Sequence, residues 1–143
     1  MLFPFPANMT WEVVLHLIFA GIGTFIYCRI IGLSRFSSFL ASLFFILSSE
    51  LVTLINAGHF QKLNTISLTP WILSALEKGL QERKPFFFLI AGGALAIQFI
   101  EMHWQISFYT CLAVGFYFIF RALSLYVKDR DVKEIGKLIV MLL

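Results

Sequence analysis

Five predominantly apolar stretches separated by short polar clusters organise the chain, at residues 11–31, 36–55, 63–76, 86–100 and 106–125, and a sixth begins near 135 and runs to 143. The first carries no charge between Glu12 and Arg29 and is long enough, as a helix, to cross a hydrocarbon core of about 30 Å. The second follows the tight turn Gly32-Leu-Ser-Arg35. The third is shorter and more polar, with Pro70 before Trp71. A proline there removes a helical hydrogen bond, so a kink or a broken helix is expected. The fourth contains Gly92-Gly93 and Ala96, and the pair Gly92 and Ala96 would let a neighbouring helix approach closely. The fifth is rich in Phe and Tyr. This pattern predicts an all-α, polytopic transmembrane helical bundle of about five spans plus the start of a sixth, forming one transmembrane domain over 1–143.

Composition narrows the class. A hydrophobic content of 59% and a mean hydropathy of +0.87 are too high for a soluble domain. The eleven Lys and Arg residues are spaced as loop anchors and give a net charge of only +3, so no nucleic-acid partner is expected. Their distribution carries a topology. Arg29 and Arg35 follow the first run, and Lys78, Arg83 and Lys84 precede the fourth. Arg121, Lys128, Arg130, Lys133 and Lys137 are assigned to the inner end of the fifth, and the opposite ends carry only Lys62. Positive charge stays on the cytoplasmic side. The Gly32–Arg35 turn, Glu77–Pro85 and Tyr126–Lys137 are therefore expected inside, with the N-terminus, Asn56–Lys62 and Glu101–Gln105 outside. That alternation requires the third run to cross. The chain lacks a basic leader, begins outside and stops within an apolar run, so it is expected to be a fragment. Cys28 and Cys111 lie near opposite ends of their runs, too far apart in depth to bridge, and read as packing residues.

Candidate chemistry gathers at the ends that lack positive charge. Glu50 lies before the second run ends and Glu101 terminates the fourth. His59-Phe-Gln61 and His103-Trp-Gln105 are matching His-x-Gln triplets, each set between an outward and an inward run. Ionisable groups beside a span call for explanation. In one reading Glu50, Glu101, His59 and His103 converge on a divalent cation, although no tight ligand spacing supports it. In another, His and Gln side chains hydrogen-bond an anionic head group, a lipid phosphate or a sugar. A structural reading has the same groups capping helices and bonding between spans. Trp11, Trp71, Trp104 and Tyr109 fit an aromatic belt near that boundary. The residues contain no Gly-rich phosphate loop, nucleophile elbow or paired-carboxylate motif.

The stretch Ala57-Gly-His-Phe-Gln-Lys-Leu-Asn64, followed by Thr69-Pro-Trp71, resembles the "GH…K…P-W" stretch of YfhO-type bacterial membrane proteins. Gly92-Gly-Ala-Leu-Ala-Ile-Gln-Phe-Ile-Glu-Met-His-Trp-Gln-Ile-Ser-Phe-Tyr-Thr110 resembles that family's "LQ…GH-x-Q-…-Y" segment. Phe3-Pro-Phe-Pro6 and Arg29-Ile-Ile-Gly-Leu-Ser-Arg35 are similar to the wider C-type, polyprenyl-phosphate-sugar-dependent glycosyltransferases. The resemblance implies a multi-pass protein of the bacterial cytoplasmic (inner) membrane that moves a sugar from a polyprenyl-phosphate carrier to a cell-envelope acceptor at the outer face. The bilayer and the lipid-linked donor would be its partners. His59, Gln61, Lys62, His103 and Gln105 would line the carrier cavity, while the catalytic carboxylate would lie in a loop before Met1. The chain departs from the pattern at Met102, where the family has Gly; a different local backbone is expected there. Two alternatives stay open: a transporter or flippase-like subunit using Glu50 and Glu101 as protonatable groups, and a non-catalytic scaffold that packs a partner on the Gly92–Ala96 face.

Overall fold

The computed structural model describes residues 7–129 and Val140. Among the described residues the chain is all-α, with six helices: α1 (Ala7–Ile30), α2 (Arg35–Ile46), α3 (Ser49–Asn56), α4 (Phe60–Glu82), α5 (Pro85–Ile100) and α6 (Trp104–Asp129). The expected run at 135–143 lies outside the described residues apart from Val140, as do Arg130, Lys133 and Lys137.

Local chemistry explains the breaks. After α1, Gly32 takes a left-handed φ of +95°, which lets the Leu33 N–H return to the Cys28 carbonyl at 3.0 Å and closes the helix. Ser34 then caps α2, its hydroxyl accepting from the Ser37 N–H at 3.1 Å. The single run expected at 36–55 is divided at Leu47–Ser48. Ser48 is extended, with ψ 143°, and opens α3 as its N-cap residue. Pro85 sits in the first turn of α5, where its missing N–H costs nothing.

The third element differs most from expectation. The run expected at 63–76, kinked or broken at Pro70, is one continuous helix of 23 residues, Phe60–Glu82, about 34 Å long, so the break is not formed. Pro70 is tolerated within it: only its own N–H is lost, and the Pro70 carbonyl accepts from the Ser74 hydroxyl at 2.7 Å. The polar content of α4 follows from its position. It packs against α1, α3, α5 and α6, and Asn64, Thr65, Ser67, Ser74 and Glu77 are all buried. A helix enclosed by other helices meets their polar groups and not lipid, so it escapes the demand for an apolar surface.

The outer faces are the converse. Leu15, Ile18 and Ile22 of α1, Phe36, Phe39 and Phe44 of α2, Leu89 and Ile100 of α5, and Phe116, Ile119 and Phe120 of α6 are all exposed. Three helical segments are long and apolar enough to cross a membrane: Asn8–Ile30, Arg35–Asn56 and Trp104–Ser124. Apolar outside and polar within, this is a membrane protein.

Two interior centres hold α4. At one end Ile72, Ala75, Leu76, Leu80, Phe88, Ala91, Phe118 and Ala122 form the apolar core. Beside them lies an ion pair whose carboxylate was expected in a loop. Glu77, expected in an inner connection running to Pro85, is inside α4 with 1% exposure, and that connection shrinks to Arg83–Lys84. Arg121, expected at the inner end of the fifth run, lies within α6 and grips Glu77 with both branches, Nε to Oε2 at 3.0 Å and a terminal nitrogen to Oε1 at 2.5 Å. Tyr117 donates to Oε2 at 2.7 Å and Gln81 to Oε1 at 2.8 Å, so each carboxylate oxygen accepts two bonds. Gln81 also donates to the Ile30 carbonyl at 3.1 Å, tying α1 to the same cluster.

Trp71 also departs from its expected place in a boundary belt. It stands midway along α4, stacks on Phe19 with ring centroids 4.8 Å apart, and donates from its indole N–H to the Phe19 carbonyl at 3.0 Å. Gly23 makes room for it: a Cβ there would fall 2.6 Å from the indole nitrogen. Around Gly92 and Gly93 none of the described residues comes within 4 Å of a Cβ position outside the helix's own backbone, so that face of α5 is unpacked among them. Cys28 and Cys111 are free thiols.

Candidate functional site

The two His-x-Gln triplets begin two helices in the same way. In the first, α3 ends at Asn56, Gly58 takes φ +70°, and the His59 N–H returns to the Leu54 carbonyl at 2.9 Å. In the second, α5 ends at Ile100, Met102 takes φ +59°, and its N–H reaches the Phe99 carbonyl at 3.2 Å. Each histidine then starts the next helix with its carbonyl. His59 accepts from the N–H groups of Lys62 and Leu63 at 3.1 and 3.3 Å, and His103 from those of Ile106 and Ser107 at 3.1 and 3.2 Å. The different backbone expected at Met102 is therefore absent: methionine adopts the left-handed turn that glycine adopts at position 58. Neighbouring hydrogen bonds impose the conformation in spite of its intrinsic cost.

Those turns bring the triplets together. Gly58, His59, Phe60, Gln61, Lys62 and His103 line one cavity of about 510 Å³ at the end of the bundle remote from the Glu77 cluster. Four of the five expected cavity residues are in that wall. Gln105 is not: it is exposed and its amide donates to the Tyr109 hydroxyl at 3.2 Å. His59 has no side-chain cap bond, and the first N–H groups of α4, at Phe60 and Gln61, have no helical carbonyl to reach. With the Lys62 ammonium beside them, these donors and the positive end of the helix dipole favour an anion.

Phe60 has a second role. With Met9, Thr10, Val13, Val14 and Ile55 it lines an apolar groove of about 250 Å³ between α1, α3 and α4. The polar cavity and the apolar groove thus share one aromatic wall.

Glu50 and Glu101 stand at helix ends. Glu50 is exposed in the first turn of α3, and Glu101 is the half-buried residue that ends α5. Among the described residues no three His, Cys, Asp or Glu side chains gather as a metal-binding group, so the convergence of Glu50, Glu101, His59 and His103 on a divalent cation is not formed.

Sequence reasoning missed the polar framework beneath the cavity. Gln98 is fully buried and its amide nitrogen bonds the Thr65 carbonyl at 2.8 Å, the Thr110 hydroxyl at 3.1 Å and the Thr69 hydroxyl at 3.2 Å. The Ser107 hydroxyl, also fully buried, donates to the Gln98 carbonyl at 3.0 Å. Gln98 therefore joins α4, α5 and α6 directly under His103. A lone glutamine in an apolar run was the available signal, since such a residue must find partners inside the bundle. Glu12 and Asn64 were missed as well; the Asn64 amide donates to the Glu12 carboxylate at 2.9 Å and ties α4 to α1.

No family model, curated protein or solved structure matches this chain.

Proposed function

We propose that this chain is a multi-pass component of the bacterial cytoplasmic membrane that binds the phosphate of a polyprenyl-linked sugar at the extracytoplasmic face, in the service of transferring that sugar to a cell-envelope acceptor. The observation that carries this reading is the polar cavity of His59, Gln61, Lys62 and His103, joined through Phe60 to an apolar groove. An anionic head needs donors and positive charge, and a prenyl tail needs an apolar surface facing lipid. An amphiphile satisfies both from one position. The topology in the proposal rests on the basic residues: Arg29, Arg35, Lys78, Arg83, Lys84 and Lys128 lie toward the end opposite the cavity, as positive charge retained in the cytoplasm requires. In this reading the chain supplies the wall that holds the carrier, and the groups that perform the transfer lie elsewhere.

The test is binding of polyprenyl phosphate to the protein in nanodiscs. Lys62→Ala is expected to weaken it about tenfold, the loss of one charge-assisted contact, while Lys84→Ala leaves it unchanged. Equal effects of the two substitutions would remove Lys62, and with it the head-group site, from the proposal.

A further inference from the structure

The polar cavity has walls on two helices that do not follow one another in the chain. His59, Gln61 and Lys62 stand at the start of α4, and His103 immediately precedes α6. The width of the cavity therefore depends on what holds the start of α6 against the start of α4. At the other end of the bundle apolar packing does this, where Phe118 and Ala122 of α6 enter the core with Ile72 and Leu80. At the cavity end the buried residues of α6, among those described, are Ser107 and Thr110, and both are polar.

Both bond to Gln98, and through it a continuous hydrogen-bonded path joins the two walls. The Ser107 hydroxyl lies between the Gln98 carbonyl at 3.0 Å and the His103 carbonyl at 3.3 Å. The Gln98 amide donates to the Thr110 hydroxyl at 3.1 Å and, across to α4, to the Thr65 carbonyl at 2.8 Å. The Thr65 hydroxyl then donates to the Gln61 carbonyl at 2.7 Å. The bridge runs from His103 through Ser107, Gln98 and Thr65 to Gln61, and ends at each side on the backbone of a cavity residue or its neighbour in the same turn.

Packing alone does not account for the residue at its centre. Gln98 is fully buried, and its Oε1 has no hydrogen-bond partner among the described residues. A methionine of similar length would fill that space without burying an unpaired oxygen. What the glutamine adds is direction: a buried hydrogen-bond network fixes one arrangement of the helices where apolar contacts tolerate several.

We infer that Gln98 is a positioning residue for the head-group cavity, setting the separation of its Lys62 and His103 walls without touching the ligand. The consequence for the carrier rests on the reading proposed above: donors spaced for one phosphate lose their alignment when the walls drift apart. The apolar groove is lined from α1, α3 and α4 alone, so its hold on a prenyl chain is independent of Gln98.

That difference supplies the experiment. Gln98→Met in nanodiscs is tested with polyprenyl phosphate and with the uncharged polyprenol of the same length. The phosphate is expected to bind about fivefold more weakly, as for one weakened hydrogen bond, and the polyprenol as it binds the unaltered protein. Equal weakening of both ligands, or of neither, would overturn the positioning role. A second readout needs no ligand. With Cys28 and Cys111 replaced by alanine, nitroxides on Gln61→Cys and Gln105→Cys report the separation of the starts of α4 and α6 by pulsed electron resonance. Gln98→Met is expected to lengthen that distance and broaden its distribution, and an unchanged distribution would overturn the role. If the unaltered protein binds no polyprenyl phosphate, the carrier reading falls and the distance alone decides the place of Gln98. Ser107→Ala, which cuts the link to His103, is expected to act in the same direction and takes the place of Gln98→Met should that variant not fold.

Discussion

Met102 and Gly58 occupy equivalent turns with opposite chemistry, and their substitutions should differ in sign. At φ +59° the methionine side chain bears the cost of the left-handed region, and at 69% exposure it returns little packing. Met102→Gly is expected to stabilise the bundle by about 1 kcal/mol, while Gly58→Ala, at φ +70° with nothing within 4 Å of the new Cβ, lowers stability by about 1–2 kcal/mol. Denaturant unfolding in detergent measures both, and a destabilising Met102→Gly would show that the turn draws its stability from the methionine side chain. This scale also shows what the sequence could not convey. The His-x-Gln echo was visible, and it led to four residues of one cavity. The partners of Asn64 and Gln98 were invisible, because a polar residue in an apolar run announces that it needs a partner without saying on which helix.

Among the elements, α1, α5 and α6 were legible, while the break between α2 and α3 and the extent of α4 were not. α1, α5 and α6 begin and end within a few residues of the expected apolar runs, because lipid demands an unbroken apolar surface. α4 was read too short, since hydropathy discounts Gln61 and Lys62 at its start and Glu77, Lys78, Gln81 and Glu82 at its end. The pairing of Glu77 with Arg121 gives α4 a measurable dependence on α6. Arg121→Ala leaves a buried carboxylate without its cation and is expected to cost about 3–5 kcal/mol. Glu77→Ala should cost less, because Arg121 is 26% exposed and its freed guanidinium can reach solvent. The double substitution should fall well short of the sum of the two. Strict additivity in unfolding experiments would show that the two side chains are not coupled.

For the molecule as a whole, orientation turns on the crossing of α4. Its two ends carry the cavity and the Arg83–Lys84 connection, about 34 Å of helix apart. With Cys28 and Cys111 replaced by alanine, Gln61→Cys is expected to react with a membrane-impermeant maleimide added outside intact cells. Lys84→Cys should react only after the membrane is opened. Labelling of both from one side would place both ends of α4 on the same face and dismiss the alternating topology.

The enclosed polar surface of α4 also has a temporal meaning. A ribosome releases α4 before α5 and α6 have been made. At that moment Asn64, Trp71, Ser74 and Gln81 can already find Glu12, Phe19, Gly23 and Ile30 on α1. Thr65, Thr69 and Glu77 cannot yet meet Gln98, Thr110, Tyr117 or Arg121. The nascent α4 therefore reaches the bilayer with one side partnered and the other bare. Its residence there is cooperative, begun by a helix synthesised earlier and completed by two that follow.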